Sequence, residues 1–189
     1  MAARAHSTDP RAERVRDQLQ QAALELAHEQ PVDQLTVGAI ARRASVSRQA
    51  FYQHFDDSDD AIGAAVAAAF ASAAAGVGDD PAEQILGLFD YAGQRRTVYR
   101  NIVPSTVSLR AAAAFRAAVT PACRTIAERA TSDATVSTDQ IERFLVGGFM
   151  EVLRSWMEDP SPTDLHASGR RALDTVRALL GAGSDAPVS

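Results

Sequence analysis

The sequence predicts an all-α chain, and three observations carry the prediction. Alanine, the best helix former, supplies 38 of the 189 residues, while β-branched residues are few. Apolar side chains recur at three- and four-residue spacing in segment after segment, with no alternating strand pattern. Residues that cap helices stand at the head of these segments.

The elements follow in order. Residues 1–10 are polar and read as a disordered arm, without the apolar stretch of a secretory signal. A first helix spans 11–29, because Val15, Leu19, Ala22, Ala23 and Leu26 share one face, and Gln30-Pro31 breaks it. Thr36 caps a short helix to Arg43, Ser45 supplies a turn, and Ser47 caps a second short helix to His54. Asp57 caps a longer helix from Ser58, in which Ile62, Val66 and Phe70 make one stripe; Gly76-Val77-Gly78 ends it. Asp80-Pro81-Ala82-Glu83 starts a helix over 81–92 that either stops there or continues to Ile102. Pro104 interrupts, 105–119 reads as helix, and Pro121 either kinks it or begins the next. Ser137-Thr138-Asp139-Gln140 is a capping box. It opens a helix with the broad stripe Ile141, Phe144, Leu145, Gly148, Phe149, Val152 and Trp156. Asp159-Pro160 ends that helix, and Ser161 with Pro162 starts the last one, which carries Leu165, Leu173, Val176, Leu179 and Leu180 before a polar tail.

Charge and composition exclude several classes of function. Nineteen Arg and no Lys against 24 acids give −5, so the chain as a whole is no polycation for coating DNA or membrane. Residues 1–55 carry seven Arg and six acids, and 56–60 carry four Asp. Residues 61–189 carry twelve Arg and fourteen acids, so the one slightly positive region is N-terminal. The single cysteine, Cys123, excludes an internal disulfide and a Cys-based zinc site, fits a reducing cytosol, and reads as a small buried residue. Residues 61–78 carry no charge, yet they are mostly Ala and Gly and read as a helix packed in a core rather than a membrane span.

The two short crossed helices carry the chemistry. Ile40, Ala41, Ala44, Val46 and Phe51 are spaced as the internal contacts of a helix-turn-helix, with Ala41 small at the crossing. Ser47, Arg48, Gln49, Tyr52, Gln53 and His54 are then left facing out. Arg48 can reach guanine O6 and N7 or a phosphate, and Gln49 can pair with adenine. Tyr52 and His54 can donate to phosphate oxygens, although His54 suits packing at the helix end equally well. Thr36 offers a hydroxyl at a helix start. The pattern alone leaves a helix-turn-helix that touches no nucleic acid equally open.

The stretch from Leu35 to Ile62, LTVGAIARRASVSRQAFYQHFDDSDDAI, resembles the signature of the tetracycline-repressor (TetR) family of bacterial transcriptional regulators. Thr36, Ile40, Ala41, Ala44, Val46, Ser47, Phe51, Tyr52, His54 and Phe55 carry the resemblance, over about the first third of the chain. It implies a TetR-like all-helical homodimer with a DNA-binding domain at 11–56, a regulatory ligand-binding and dimerisation domain at 57–181, and a tail at 182–189. The DNA contacts it implies are Thr36, Arg43, Ser45, Ser47, Arg48, Gln49, Ala50, Tyr52, Gln53 and His54. The partners would be double-stranded DNA with a palindromic operator, a small apolar or amphipathic effector, and a second copy of the chain. An apolar pocket would draw on Phe70, Phe89, Tyr91, Tyr99, Ile102, Phe115, Phe149 and Trp156. The dimer face would hold Phe144, Gly148, Val152, Leu173, Val176 and Leu180.

Two positions depart from the family. Ser45 stands where Gly is frequent, and a capping role is expected of it. Ser58, among four Asp, stands where a phosphate-binding Lys is common, so these acids are expected to repel the DNA backbone and affinity to lean on Arg42, Arg43 and Arg48. Other chemistries find little footing. The four His are scattered without metal spacing, and no phosphate loop or nucleophile elbow is present. Gly147-Gly148 reads as a close helix contact, and Arg95, Arg96 and Arg100 read as a solvated face, with an anionic ligand as the alternative. The expectation is therefore a cytoplasmic ligand-responsive repressor with no catalytic, metal or cofactor site. A TetR-like ligand-binding protein with weak DNA binding is the first alternative, and a helical enzyme the last.

Overall fold

The computed structural model describes residues 10–103, 105–130, 136–159 and 164–181, among which there are nine α-helices and no strand. In chain order they are α1 (Pro10–Glu29), α2 (Val37–Arg43), α3 (Arg48–His54), α4 (Ser58–Ala75), α5 (Pro81–Gln94), α6 (Arg96–Ile102), α7 (Val107–Ala130), α8 (Thr138–Glu158) and α9 (Leu165–Gly181). A short 3-10 turn, Val32–Gln34, joins α1 to α2. The expected arm, the tail and the Ser161-Pro162 start of the last helix lie outside the described residues, except that Pro10 already opens α1. No helix among the described residues is long and apolar enough to cross a membrane.

Caps set most of the boundaries. Thr36, Ser47, Asp57, Asp80 and Ser137 each accept a backbone N–H in the first turn of the helix that follows. Each satisfies an otherwise orphaned amide, worth about 1 kcal/mol. The Ser137–Gln140 capping box closes in both directions.

Two expectations change. The helix from Pro81 stops at Gln94: Arg95 leaves helical geometry (φ −118°, ψ 27°) and α6 restarts at Arg96. The helix expected over 105–119 begins at Val107, where Ser105 Oγ accepts from the Val107 amide, and passes through Pro121 to Ala130. Pro121 has no N–H for its own turn. The helix persists because Val119, Ala122, Cys123 and Ala127 stay buried on both sides of it, and the Thr125 hydroxyl donates to the Pro121 carbonyl.

α1, α2 and α3 form a head and α4 to α9 a body, joined by one continuous core. α4 packs on α1 and on α7, so it belongs to both. In the body, α7 lies against α4, α5 and α8, while α9 lies against α5. Gly169 of α9 admits the Phe89 ring so closely that a Cβ there would sit 3.1 Å from Cγ of Phe89. The Ile62, Val66 and Phe70 stripe of α4 is buried as its spacing predicts. Cys123 is a free, buried thiol whose pKa burial pushes up to about 12.

The rings at the centre of the body fix its stability. Phe115 is fully buried and touches Phe70 and Phe89 at centroid separations of 5.4 and 5.6 Å. Phe115→Ala is expected to cost about 3–5 kcal/mol in urea unfolding. Leu109→Ala on the same helix, where Leu109 is 79% exposed, is expected to change stability by less than about 0.5 kcal/mol.

Candidate nucleic-acid interface

The turn between α2 and α3 is built by the backbone. The Val46 amide donates to the Ala41 carbonyl (2.9 Å) and the Ser45 amide to the Arg42 carbonyl (3.1 Å), the paired bonds of a Schellman ending. That ending needs a left-handed residue after the helix, and Ser45 takes it with φ +59°. The expected capping role for Ser45 is corrected here: its backbone is what the turn uses, at a local cost that Gly would not carry.

Beyond the turn, Ser47 Oγ accepts from the Ala50 amide (3.0 Å) and starts α3. Phe51 points inward and is fully buried with Ile40, while Ala41 is 2% exposed. Ser47, Arg48, Gln49, Tyr52 and Gln53 are exposed, as are Thr36 and Ser45; Ala50 and His54 are half-buried. Five of the six residues read as outward from the sequence are exposed, and the sixth, His54, is half-buried.

Arg43 is the exception. Its guanidinium turns back to α1, with Nη1 donating to Glu29 Oε1 (2.9 Å) and Nη2 to Glu29 Oε2 (2.8 Å), and Glu25 lies 3.5 Å away. The hydrogen bond from Arg43 holds the Glu29 carboxyl below its ordinary range, and the same bond raises Arg43. Arg43 thus braces α2 against α1 through an exposed ion pair, with which a DNA phosphate would have to compete. Arg42 and Arg48 have no bonded acceptor among the described residues. They are the cations that the α2–α3 unit offers outward.

The acidic run is partly bonded within the protein. Asp57 caps α4. Thr106, just before α7, donates to Asp59, and Arg110 Nη1 of α7 donates to Asp60 Oδ1 (3.1 Å), so one of the four carboxylates is charge-paired and a second is bonded to a neutral hydroxyl. The Arg110 stem lies across Gly63, where a Cβ would come within 2.8 Å of its Cδ. Asn101 of α6 donates to the Ala27 carbonyl of α1 (2.8 Å). These long-range ties carry no sequence signal, because each joins residues far apart in the chain.

The body residues divide differently from expectation. Phe70, Phe89, Tyr99, Ile102, Phe115, Phe149 and Trp156 are buried, and most of the rings pack on one another, with Phe70 also stacked on Tyr99 at 5.8 Å and Phe89 against Phe149 at 6.0 Å. All but Trp156 are packed as core with no open cavity beside them among those described: rings at helical spacing suit either role, and here they fill the space themselves. Tyr91 alone of the eight borders an open groove of about 740 Å³ between α1 and the body, with Ala65, Ala69 and Val98 on the body side and the polar Asp17, Gln21, Glu25 and Glu29 beside Leu24 on α1. Arg95 stacks on Tyr91 at 3.9 Å, and Arg96 over Trp156 at 5.3 Å, donating to the Asp159 carbonyl. The three arginines of that cluster are therefore not a uniform solvated face. Trp156 also edges a smaller cleft of about 400 Å³ between α8 and α9.

Of the expected dimer residues, Phe144 is 68% exposed, Gly148 is exposed with open space around it, and Val152, Val176 and Leu180 are half-buried. Leu173 is a correction: at 3% exposure it belongs to its own protomer's core. Leu179, 58% exposed, is the apolar residue of that face that was not in the expected set. No cluster of three or more His, Cys, Asp or Glu is placed to hold a metal among the described residues.

With this geometry in hand, residues 19–64 match the family described as bacterial regulatory proteins, tetR family. No curated protein matches the chain by sequence. Solved structures share its fold. The dihydroxyacetone kinase operon activator DhaS is 16% identical with a TM-score of 0.67, covering 89% of this chain and 97% of its own. The Thermus thermophilus repressor FadR, in complex with lauroyl-CoA, is 19% identical with a TM-score of 0.60, covering 92% and 97%. Pseudomonas aeruginosa NalD, a secondary repressor of a multidrug efflux pump, is 19% identical with a TM-score of 0.56, covering 89% and 96%.

Two predictions follow from the head. Ser45→Gly removes the left-handed strain and is expected to raise stability by about 1 kcal/mol in urea unfolding, while Ser45→Val lowers it. His54 sits partly desolvated near Arg16, and burial first and that charge second lower its pKa from 6.5. The fold then favours neutral His54. As pH falls through 6.5 the unfolded chain takes up the proton first, stability drops, and the loss levels off below the lowered value. Unfolding midpoints measured from pH 7.5 to 5 are expected to fall more steeply for the wild type than for His54→Gln.

Proposed function

We propose that the chain is a DNA-binding transcriptional regulator of the tetR family, which represses by holding a palindromic operator as a homodimer and lets go when a small apolar or amphipathic effector binds. The observation that carries this reading is the exposed edge of α3, with Gln49, Tyr52 and Gln53 outward and Phe51 locked behind them. In a dimer, two such edges would meet half-sites roughly 34–36 Å apart, or a near multiple. Such a regulator works in the cytoplasm, where the DNA is.

The second copy is supported by the unpartnered apolar face of α8 and α9. Phe144 and Leu179 stand in water there, and Gly147 and Gly148 leave room for close approach of another helix. The sign of regulation draws on FadR and NalD, which are repressors; DhaS, with the same fold, is an activator. The effector class draws on the lauroyl-CoA held by FadR. The groove bordered by Tyr91 and Val98 gives such a molecule a place that touches α1 and the body together. Release would travel through the α6–α7 corner. Asn101 on one side of it holds α1, and Thr106 and Arg110 on the other hold α4. A ligand acts only through a difference in affinity between the gripping and released arrangements.

The reading with lost DNA binding rested on the acidic run as a repulsive face. Asp60 is instead paired with Arg110 of α7, which takes one of the four charges from that face.

A footprint on the chain's own upstream DNA is expected to show a protected palindrome, and Tyr52→Ala with Gln53→Ala is expected to abolish it while the helical signal stays. Unchanged protection in that variant would remove α3 from the reading role. Phe144→Asp is expected to leave the fold intact, because the side chain is already exposed, and to convert the dimer to monomer by light scattering, with the footprint lost. A dimer that persists in Phe144→Asp would move the interface elsewhere.

A further inference from the structure

Arg48 does not stand on the most outward line of α3. At 3.6 residues per turn, Gln49 and Gln53 lie about 160° around the helix from buried Phe51, and Tyr52 about 100°. Arg48 lies only about 60° from Phe51 by the same count, on the flank of the helix. The structure shows where that flank sends it. The guanidinium folds back over Gly38, in the first turn of α2, so closely that a Cβ at position 38 would come within 3.0 Å of both Cζ and Nε of Arg48. The missing side chain at Gly38 is the space the guanidinium occupies. No acceptor is bonded to Arg48 among the described residues, although Nη2 is the guanidinium atom that lies nearest Gly38.

In a helix-turn-helix the second helix enters the groove, and the first crosses the phosphate backbone. A guanidinium drawn onto α2 therefore sits on the backbone side of the head. We propose that Gly38 is the seat that positions Arg48 as a phosphate clamp, and that base choice falls to Gln49, Tyr52 and Gln53. This rests on the operator-binding reading above and goes beyond it by separating the residue that sets affinity from those that set sequence.

Gly38 makes the test clean. Alanine favours helix more than glycine does, and the atoms it would displace are the far end of a flexible side chain. Gly38→Ala is therefore expected to keep or raise the thermal midpoint while unseating Arg48. The full-length wild type is first used to select binding sites from a random double-stranded DNA pool. Wild type, Arg48→Ala, Gly38→Ala and the double variant are then titrated on the selected duplex and on all its single base-pair variants, across a salt series. For Arg48→Ala the expected result is a loss on the order of tenfold, equal across the panel, with the same preferred sequence. Its salt slope should be shallower by roughly two per dimer, one phosphate contact for each head. Gly38→Ala should show part of the same uniform loss, and add nothing in the Arg48→Ala background.

Relaxed preference at one base pair per half-site in Arg48→Ala would make Arg48 a base reader and overturn the proposal while leaving the regulator reading intact. Wild-type affinity and slope in Gly38→Ala would overturn the seat. A wild type that enriches no sequence from the pool would overturn the regulator reading and this proposal with it.

Discussion

The way α3 faces depends on one buried ring. α3 has seven residues, too few to hold a helix in water by themselves. Phe51 makes it stand: it is fully buried, tilted on Phe55 at 5.7 Å and met by the edge of Tyr52 at 5.6 Å. Once Phe51 is fixed, the helical turn leaves the other side chains no freedom of direction, so Gln49, Tyr52 and Gln53 are outward by geometry. The Ser47 cap at one end and the strained Ser45 turn before it set the start of the helix to within a residue.

Charge in this head is arranged by pairing rather than by number. The head is barely positive in sum, and its structure shows how so small a surplus is used. Arg43 is paired with Glu29 in bracing α2 on α1, and just beyond the head Asp59 is bonded to Thr106 and Asp60 to Arg110. What remains outward on α2 and α3 is Arg42, Arg48 and neutral hydrogen-bonding groups. Such a surface gains less from counterion release than a lysine-rich one, and leans on the fit of its few contacts. The head is tied to the body by the Asn101 bond to the Ala27 carbonyl and by the packing of α4 on α1.

Local features were legible in the sequence and distant ones were not. Thr36, Ser47, Asp57, Asp80 and Ser137 announced five helix starts, because a cap is a contact between residues two or three apart. The outward edge of α3 followed from the spacing of Ile40, Val46 and Phe51. The Arg43–Glu29 pair, the Arg110–Asp60 pair and the Asn101 bond to Ala27 span 14, 50 and 74 residues and left no pattern to read. The aromatic residues of the body misled for a different reason. A ring that lines a pocket and a ring that fills a core have the same spacing, and only packing distinguishes them. Leu173 likewise shares the period of Val176 and Leu180 but turns into its own core. Pro121 could not be placed from sequence, since burial on both sides outweighs one missing hydrogen bond.

The central claim is that the edge of α3 opposite Phe51 meets nucleobases. The most direct measurement places a photoreactive amino acid singly at positions 49, 53, 116 and 143 of the full-length chain and irradiates each with its selected duplex. The account predicts cross-links to DNA from 49 and 53 and none from 116 or 143, which are exposed on α7 and α8. Cross-links confined to the body positions, or none from 49 and 53 in a complex that still forms, would contradict it.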